Sequence, residues 1–139
     1  MGSYSDFNGE VVISGLCLKD LAKYQITTEK YGAELEVLCN NERSGFYMED
    51  MEPTGFRVDD EPATLTLYAG DEPEKAYGFS EFVEAVHRMW RDGHVNAAEL
   101  RRKGESGDDV EHYYLWEGRW KTVITVEKTL NWKPTLSPR

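Results

Sequence analysis

Val110-Glu-His-Tyr-Tyr-Leu-Trp-Glu-Gly-Arg-Trp-Lys-Thr-Val-Ile-Thr-Val126 is the stretch that sets the architecture. Two runs of aromatic and β-branched residues flank Glu117-Gly118, and glycine supplies the positive φ that a tight hairpin turn needs, so the stretch reads as a β-hairpin. Two registers are open. A two-residue turn sets Trp116 opposite Arg119 and lines one face with Leu115, Trp120, Ile124 and Val126. A three-residue turn through Arg119 sets Trp116 opposite Trp120 instead. The first is preferred, because Glu-Gly suits a type I′ turn and leaves Tyr114, Arg119 and Lys121 on the outer face.

Working back from the hairpin, the polar loop Gly104-Glu-Ser-Gly-Asp-Asp109 separates it from a strand over Ala98–Lys103. Before that strand, Phe79, Phe82, Val83, Val86, Met89 and Trp90 recur at helical spacing. Glu81, Glu84, His87, Arg88 and Arg91 take the other side. Ser80 is the expected N-cap, Gly93 the expected C′ residue, and Glu84 with Arg88 an i,i+4 ion pair. Further strands are expected over Glu10–Ser14, Glu34–Cys39, Gly45–Met48 and Ala63–Ala69, and a short helix over Leu16–Tyr24. Short loops between consecutive strands give an antiparallel meander. The expected class is therefore α+β: a two-layer antiparallel sheet with one long and one short helix on one face. One domain is expected over 1–132, with an irregular C-terminal tail over 133–139.

Composition bounds the function. The 139 residues carry 26 acidic and 16 basic side chains, a net charge of −10, with 40% hydrophobic and 12% aromatic residues. That apolar content supports a packed core, while the charge repels a phosphate backbone, so direct nucleic-acid binding is not expected. Cys17 and Cys39 form no Cys-x-x-Cys motif and read as buried thiols. The start has no basic and apolar regions of a secretory signal, and no apolar run nears the roughly 20 residues a membrane span needs. A cytoplasmic protein is expected, in the host cell if a phage encodes it.

Phe7-x-Gly9-Glu-Val-Val-Ile-x-Gly15, together with Glu99, Gly104-Glu105, Asp108, Trp116-Glu-Gly118 and Trp132, resembles a family of small actinobacterial and phage proteins of unknown function. The likeness covers about the first fifteen and last forty residues and rests on strand and turn positions. It implies a bacterial or phage accessory protein and carries over no catalytic residue.

No pattern of catalytic chemistry stands out. His87, His94 and His112 match no metal-ligand spacing, so neither metal nor cofactor is expected. There is no Gly-x-Ser-x-Gly, and the 104–109 loop lacks the Gly-Lys-Ser/Thr end of a phosphate loop. The strongest functional signal is acidic: Glu49, Asp50 and Glu52, then Asp59, Asp60 and Glu61, then Asp71 and Glu72. Such charges either keep a surface solvated or meet a basic partner. Phe56, with Phe46 and Tyr47, would supply aromatic anchors beside them. The expectation is a small, non-enzymatic protein-binding module that occupies the basic surface of a host protein, as a mobile-element inhibitor of a host defence or nucleic-acid-binding protein (anti-CRISPR or anti-restriction type). A toxin-neutralising immunity protein is the first alternative. A small enzyme with His112, Tyr113 and Arg119 on the open sheet face is the second.

Overall fold

The computed structural model describes residues 4–49, 61–71, 73–75, 77–105 and 109–125. The strands are β1 (Tyr4–Leu16), β2 (Ile26–Tyr31), β3 (Glu34–Cys39), β4 (Glu42–Glu49), β5 (Ala63–Ala69), β6 (Glu74–Lys75), β7 (Val95–Gly104), β8 (Val110–Trp116) and β9 (Arg119–Thr125). A 3-10 helix over Leu18–Tyr24 follows β1, and one α-helix, α1 (Phe79–Arg91), follows β6. The strands pair antiparallel in the order β2-β3-β4-β5-β1-β7-β8-β9, with the short β6 also pairing with β1. Of the described residues 62% lie in strands, so the fold is mainly β; the expected two-layer α+β arrangement is corrected.

The extra sheet comes from strands whose inward positions are not apolar. On β1 the inward residues are Ser5, Phe7, Gly9, Val11 and Ile13, and the serine and glycine hide the alternation over its first half. β2, Ile-Thr-Thr-Glu-Lys-Tyr, buries only Ile26, and its pairing with β3 rather than any apolar period makes it a strand. The short helix is a 3-10 turn, in which the Asp20 carboxylate accepts the Cys17 backbone N–H at 2.9 Å. That bond holds the Asp20 carboxyl below its usual pKa.

The expected long helix forms. Phe79, Phe82, Val83, Ala85, Val86 and Met89 are its buried face. Gly93, at φ +88°, ends it: the Gly93 and His94 N–H groups donate to Trp90 and Met89 carbonyls, a Schellman arrangement. Two details differ from expectation. Gly78, not Ser80, precedes the first turn, because the chain there is pressed against β4 and a Cβ would stand 2.6 Å from the Glu42 carbonyl oxygen. Arg88 turns from Glu84 to Tyr24, donating to its carbonyl at 3.2 Å and lying 5.6 Å over its ring.

The sheet curls around α1. Phe79 lies 6.5 Å from Phe46 on β4 and 6.3 Å from Tyr113 on β8. Four strand spacings separate β4 from β8, about 19 Å in a flat sheet, so one ring meets both only if the sheet bends. A bulge in β4 supplies part of the bend. The ladder shifts register between Glu36 and Leu38, Gly45 takes φ +86°, and Ser44 Oγ donates to the Val37 carbonyl. Phe46, Phe79 and Phe82 are fully buried in the hollow, each contributing about 1.5–3 kcal/mol.

The hairpin has the preferred register. Trp116 pairs with Arg119 and Leu115 with Trp120, and Glu117 and Gly118 sit at φ 52° and 76°, as a type I′ turn requires. The turn is tied to the helix, since Trp90 Nε1 donates to the Gly118 carbonyl at 3.1 Å. The expected tail over 133–139 lies outside the described residues, as do Val126 and Trp132.

Candidate functional site

Antiparallel pairing puts partners on the same face, so one row of side chains can be followed across the outer, solvent-facing side. It runs Glu29, Glu36, Tyr47, Tyr68, Glu10, Glu99, Tyr114, Lys121, one residue per strand. The row facing α1 runs Leu35, Met48, Leu67, Val11, Ala98. The same parity places Tyr31 and Glu34 on the outer face beside Glu29 and Glu36.

A groove of about 670 Å³ opens on that face where β5 stops at Ala69. Five of the chain's eight tyrosines line it: Tyr4, Tyr31, Tyr47, Tyr68 and Tyr77. Among the described residues only four large apolar side chains are exposed, and Tyr4, Tyr31 and Tyr77 are three of them, at 53%, 57% and 50%. Tyr47 is the floor. It is buried, its ring lies 5.8 Å from Tyr31 at 43°, and Arg43 Nη2 donates to its hydroxyl at 3.4 Å.

Charge is distributed unevenly around the groove. Arg43 Nε is bound to the Glu36 carboxylate at 2.6 Å, and Lys75 Nζ stands 5.6 Å over the Tyr4 ring. Asp71 and Glu34 also line it. Glu34 faces Glu49 directly across the β3–β4 ladder, and among the described residues no cation pairs with either.

Of the acidic residues expected to meet a partner, Glu49, Glu61 and Asp71 are described, and Asp50, Glu52, Phe56, Asp59, Asp60 and Glu72 lie outside the described residues. Asp71 is in the groove. Glu49 ends β4 beside it, lining a neighbouring hollow with Glu10 and Tyr68. Glu61 flanks the far end of β5 from Asp71, roughly 23 Å of strand away, so the structure does not gather these two. Of the expected anchors, Phe46 is fully buried in the core and Tyr47 is the groove floor.

Of the three residues of the alternative enzyme site, His112 and Arg119 share the outer face and Tyr113 does not. Tyr113 points inward against Phe79 and Trp120 and donates to Glu111 at 2.6 Å, while His112 lies on the outer face 3.0 Å from Glu99. The histidines are dispersed: His94 Nδ1 meets the Ser14 carbonyl, and the half-buried His87 clusters with the Trp90 and Trp120 rings, 5.3 and 5.1 Å away. Among the described residues no group of three or more His, Cys, Asp or Glu could hold a metal ion, and no helix is long and apolar enough to cross a membrane.

Strand pairing, not any local pattern, assembles the groove. Tyr31, Glu34, Tyr47 and Tyr68 share strand parity, and β2 was the missing strand that connects them. No family model, curated protein or solved structure matches this chain.

Proposed function

We propose that this protein is a binding module that holds a segment of another protein in the tyrosine groove. The observation that carries the reading is the convergence of Tyr4, Tyr31 and Tyr77, exposed, on one concavity. Exposed rings are costly singly and useful together: a tyrosine offers a rigid apolar face and a polar tip while losing little rotamer entropy on binding. The net charge of −10 favours a partner with a basic surface and speeds its encounter. In its finer form, which rests on size and charge, the protein is a mobile-element inhibitor that blocks a host defence or nucleic-acid-binding protein.

The test compares baits. Immobilised wild type, the double variant Tyr31→Ala/Tyr77→Ala and the variant Trp116→Ala are exposed to bacterial lysate at low salt and eluted with a salt gradient. A partner kept by wild type and Trp116→Ala but lost by the double variant supports the groove. Equal retention by the double variant, or an empty wild-type bait, overturns it.

A further inference from the structure

From the tyrosine-groove reading, on which this step rests, we infer a narrower chemistry: the exposed face of Tyr31, flanked by Glu34, is a subsite for a cationic side chain, the guanidinium or ammonium of an arginine or lysine in the partner. Three independent features of the groove point there.

The first is the aromatic geometry. The Tyr31 ring packs 5.8 Å from the buried Tyr47 ring at 43°, which holds it in place while leaving it 57% exposed, and a cation is attracted to the face of a ring within about 6 Å of its centroid. The protein already uses this contact in the same groove, where Lys75 stands over Tyr4.

The second is an unanswered like-charge pair. Both carboxylate pairs across β2, β3 and β4 set like charges opposite each other, which destabilises a ladder. Glu29 and Glu36 are answered by Arg43, which binds Glu36 at 2.6 Å. Glu34 and Glu49 face each other with no cation on either among the described residues, and Glu34 is also the ladder partner of Tyr31. A positive group resting on the Tyr31 ring meets Glu34 as well and relieves the repulsion.

The third is the exclusion of other occupants. The groove itself is lined by the Glu34 and Asp71 carboxylates and by Arg43 and Lys75, and both cations are engaged, Arg43 by Glu36 and Lys75 by the Tyr4 ring. A phosphate would be repelled. A purely apolar segment would bury the Glu34 carboxylate without a partner.

Calorimetric titration with hexa-arginine, hexa-lysine and hexa-glutamine peptides at low salt tests this. Wild type should bind the two cationic peptides and not hexa-glutamine. Glu34→Gln and Tyr31→Ala should each weaken binding about tenfold, whereas Glu117→Gln, an equal charge change in the exposed hairpin turn, should leave it unchanged. Glu34→Gln should also raise the Tm of the free protein, because it removes the repulsion from Glu49. If Glu117→Gln weakens binding as much as Glu34→Gln, the attraction is diffuse and the subsite is overturned. If neither cationic peptide binds while the lysate partner still depends on Tyr31 and Tyr77, the cation subsite falls and the groove stands. A partner indifferent to those tyrosines removes both.

Discussion

Gly45 lies directly beneath the ring of Phe7: a Cβ at Gly45 would stand 2.9 Å from the ring carbons. Phe7 is on β1 and Gly45 on β4, two strands apart in the sheet order, and they meet just past the end of β5. Their contact fills the bulge that bends β4 and lets the sheet close on α1. The groove depends on the same place, since the Gly70 N–H donates to the Gly45 carbonyl at 3.1 Å where β5 ends.

Gly45→Ala should therefore be costly. Left-handed φ strain and a collision with a packed ring together predict a loss of about 2–4 kcal/mol. Gly32→Ala is the control: it has positive φ too, but nothing lies within 4 Å of the added methyl, so about 1–2 kcal/mol is expected. Urea denaturation of the two variants measures the difference.

Arg102 closes the other end of the hollow. It bonds Glu111 at 2.6 Å, Asp109 at 2.9 Å and Ser5 Oγ at 3.1 Å. Burial opposes its charge, but the Asp109 and Glu111 carboxylates outweigh that and raise its pKa. Arg102→Met should cost about 2 kcal/mol, reduced from a fully buried pair because Asp109 is partly exposed. Arg102→Met/Glu111→Gln should recover more than half of the loss, which a double-mutant cycle by thermal unfolding reads.

Tyr24 joins the 3-10 helix to the end of α1 through its hydroxyl, 2.7 Å from Asp92. Burial, then the bond to the Asp92 carboxylate, pushes its pKa up to about 12 from 10.0. The folded state therefore holds the phenolic proton where the unfolded chain has released it. This contribution to stability is full below pH 10 and is lost as pH rises towards 12. Tyr24→Phe should be less stable by about 1 kcal/mol at neutral pH and should show a shallower alkaline decline. Stability curves at pH 9, 10.5 and 12 check both.

Cys39 is buried on the core side of β3, and burial, then the nearby Glu81 carboxylate, raises its thiol pKa to about 11 from 9.0. A thiolate reagent at pH 8 should leave Cys39 and the buried Cys17 unmodified in folded protein and release two thiols once urea unfolds it. Rapid labelling of Cys39 without denaturant would contradict the packing.

The hairpin and α1 were legible because each carries its own period: alternation and a Glu-Gly turn in one, apolar positions three and four apart in the other. The groove was less so. Its tyrosines are spread over β1, β2, β4, β5 and the segment before α1, and only strand pairing brings them together. Of the acidic residues prominent in sequence, the described Glu61 and Asp71 are divided by the length of β5.

By itself, then, the sequence determined the local elements whose information lies within a dozen residues, together with the net charge of −10. Tertiary structure decided the rest. The inward positions of early β1 are a serine and a glycine, and β2 is an edge strand with one buried residue, so nothing local marks them as sheet. Hydrogen bonds to strands far away in sequence made them so. Those additional strands turned an expected two-layer α+β fold into a curled, mainly β sheet, and set Tyr31 against Tyr47 with Glu34 at their side.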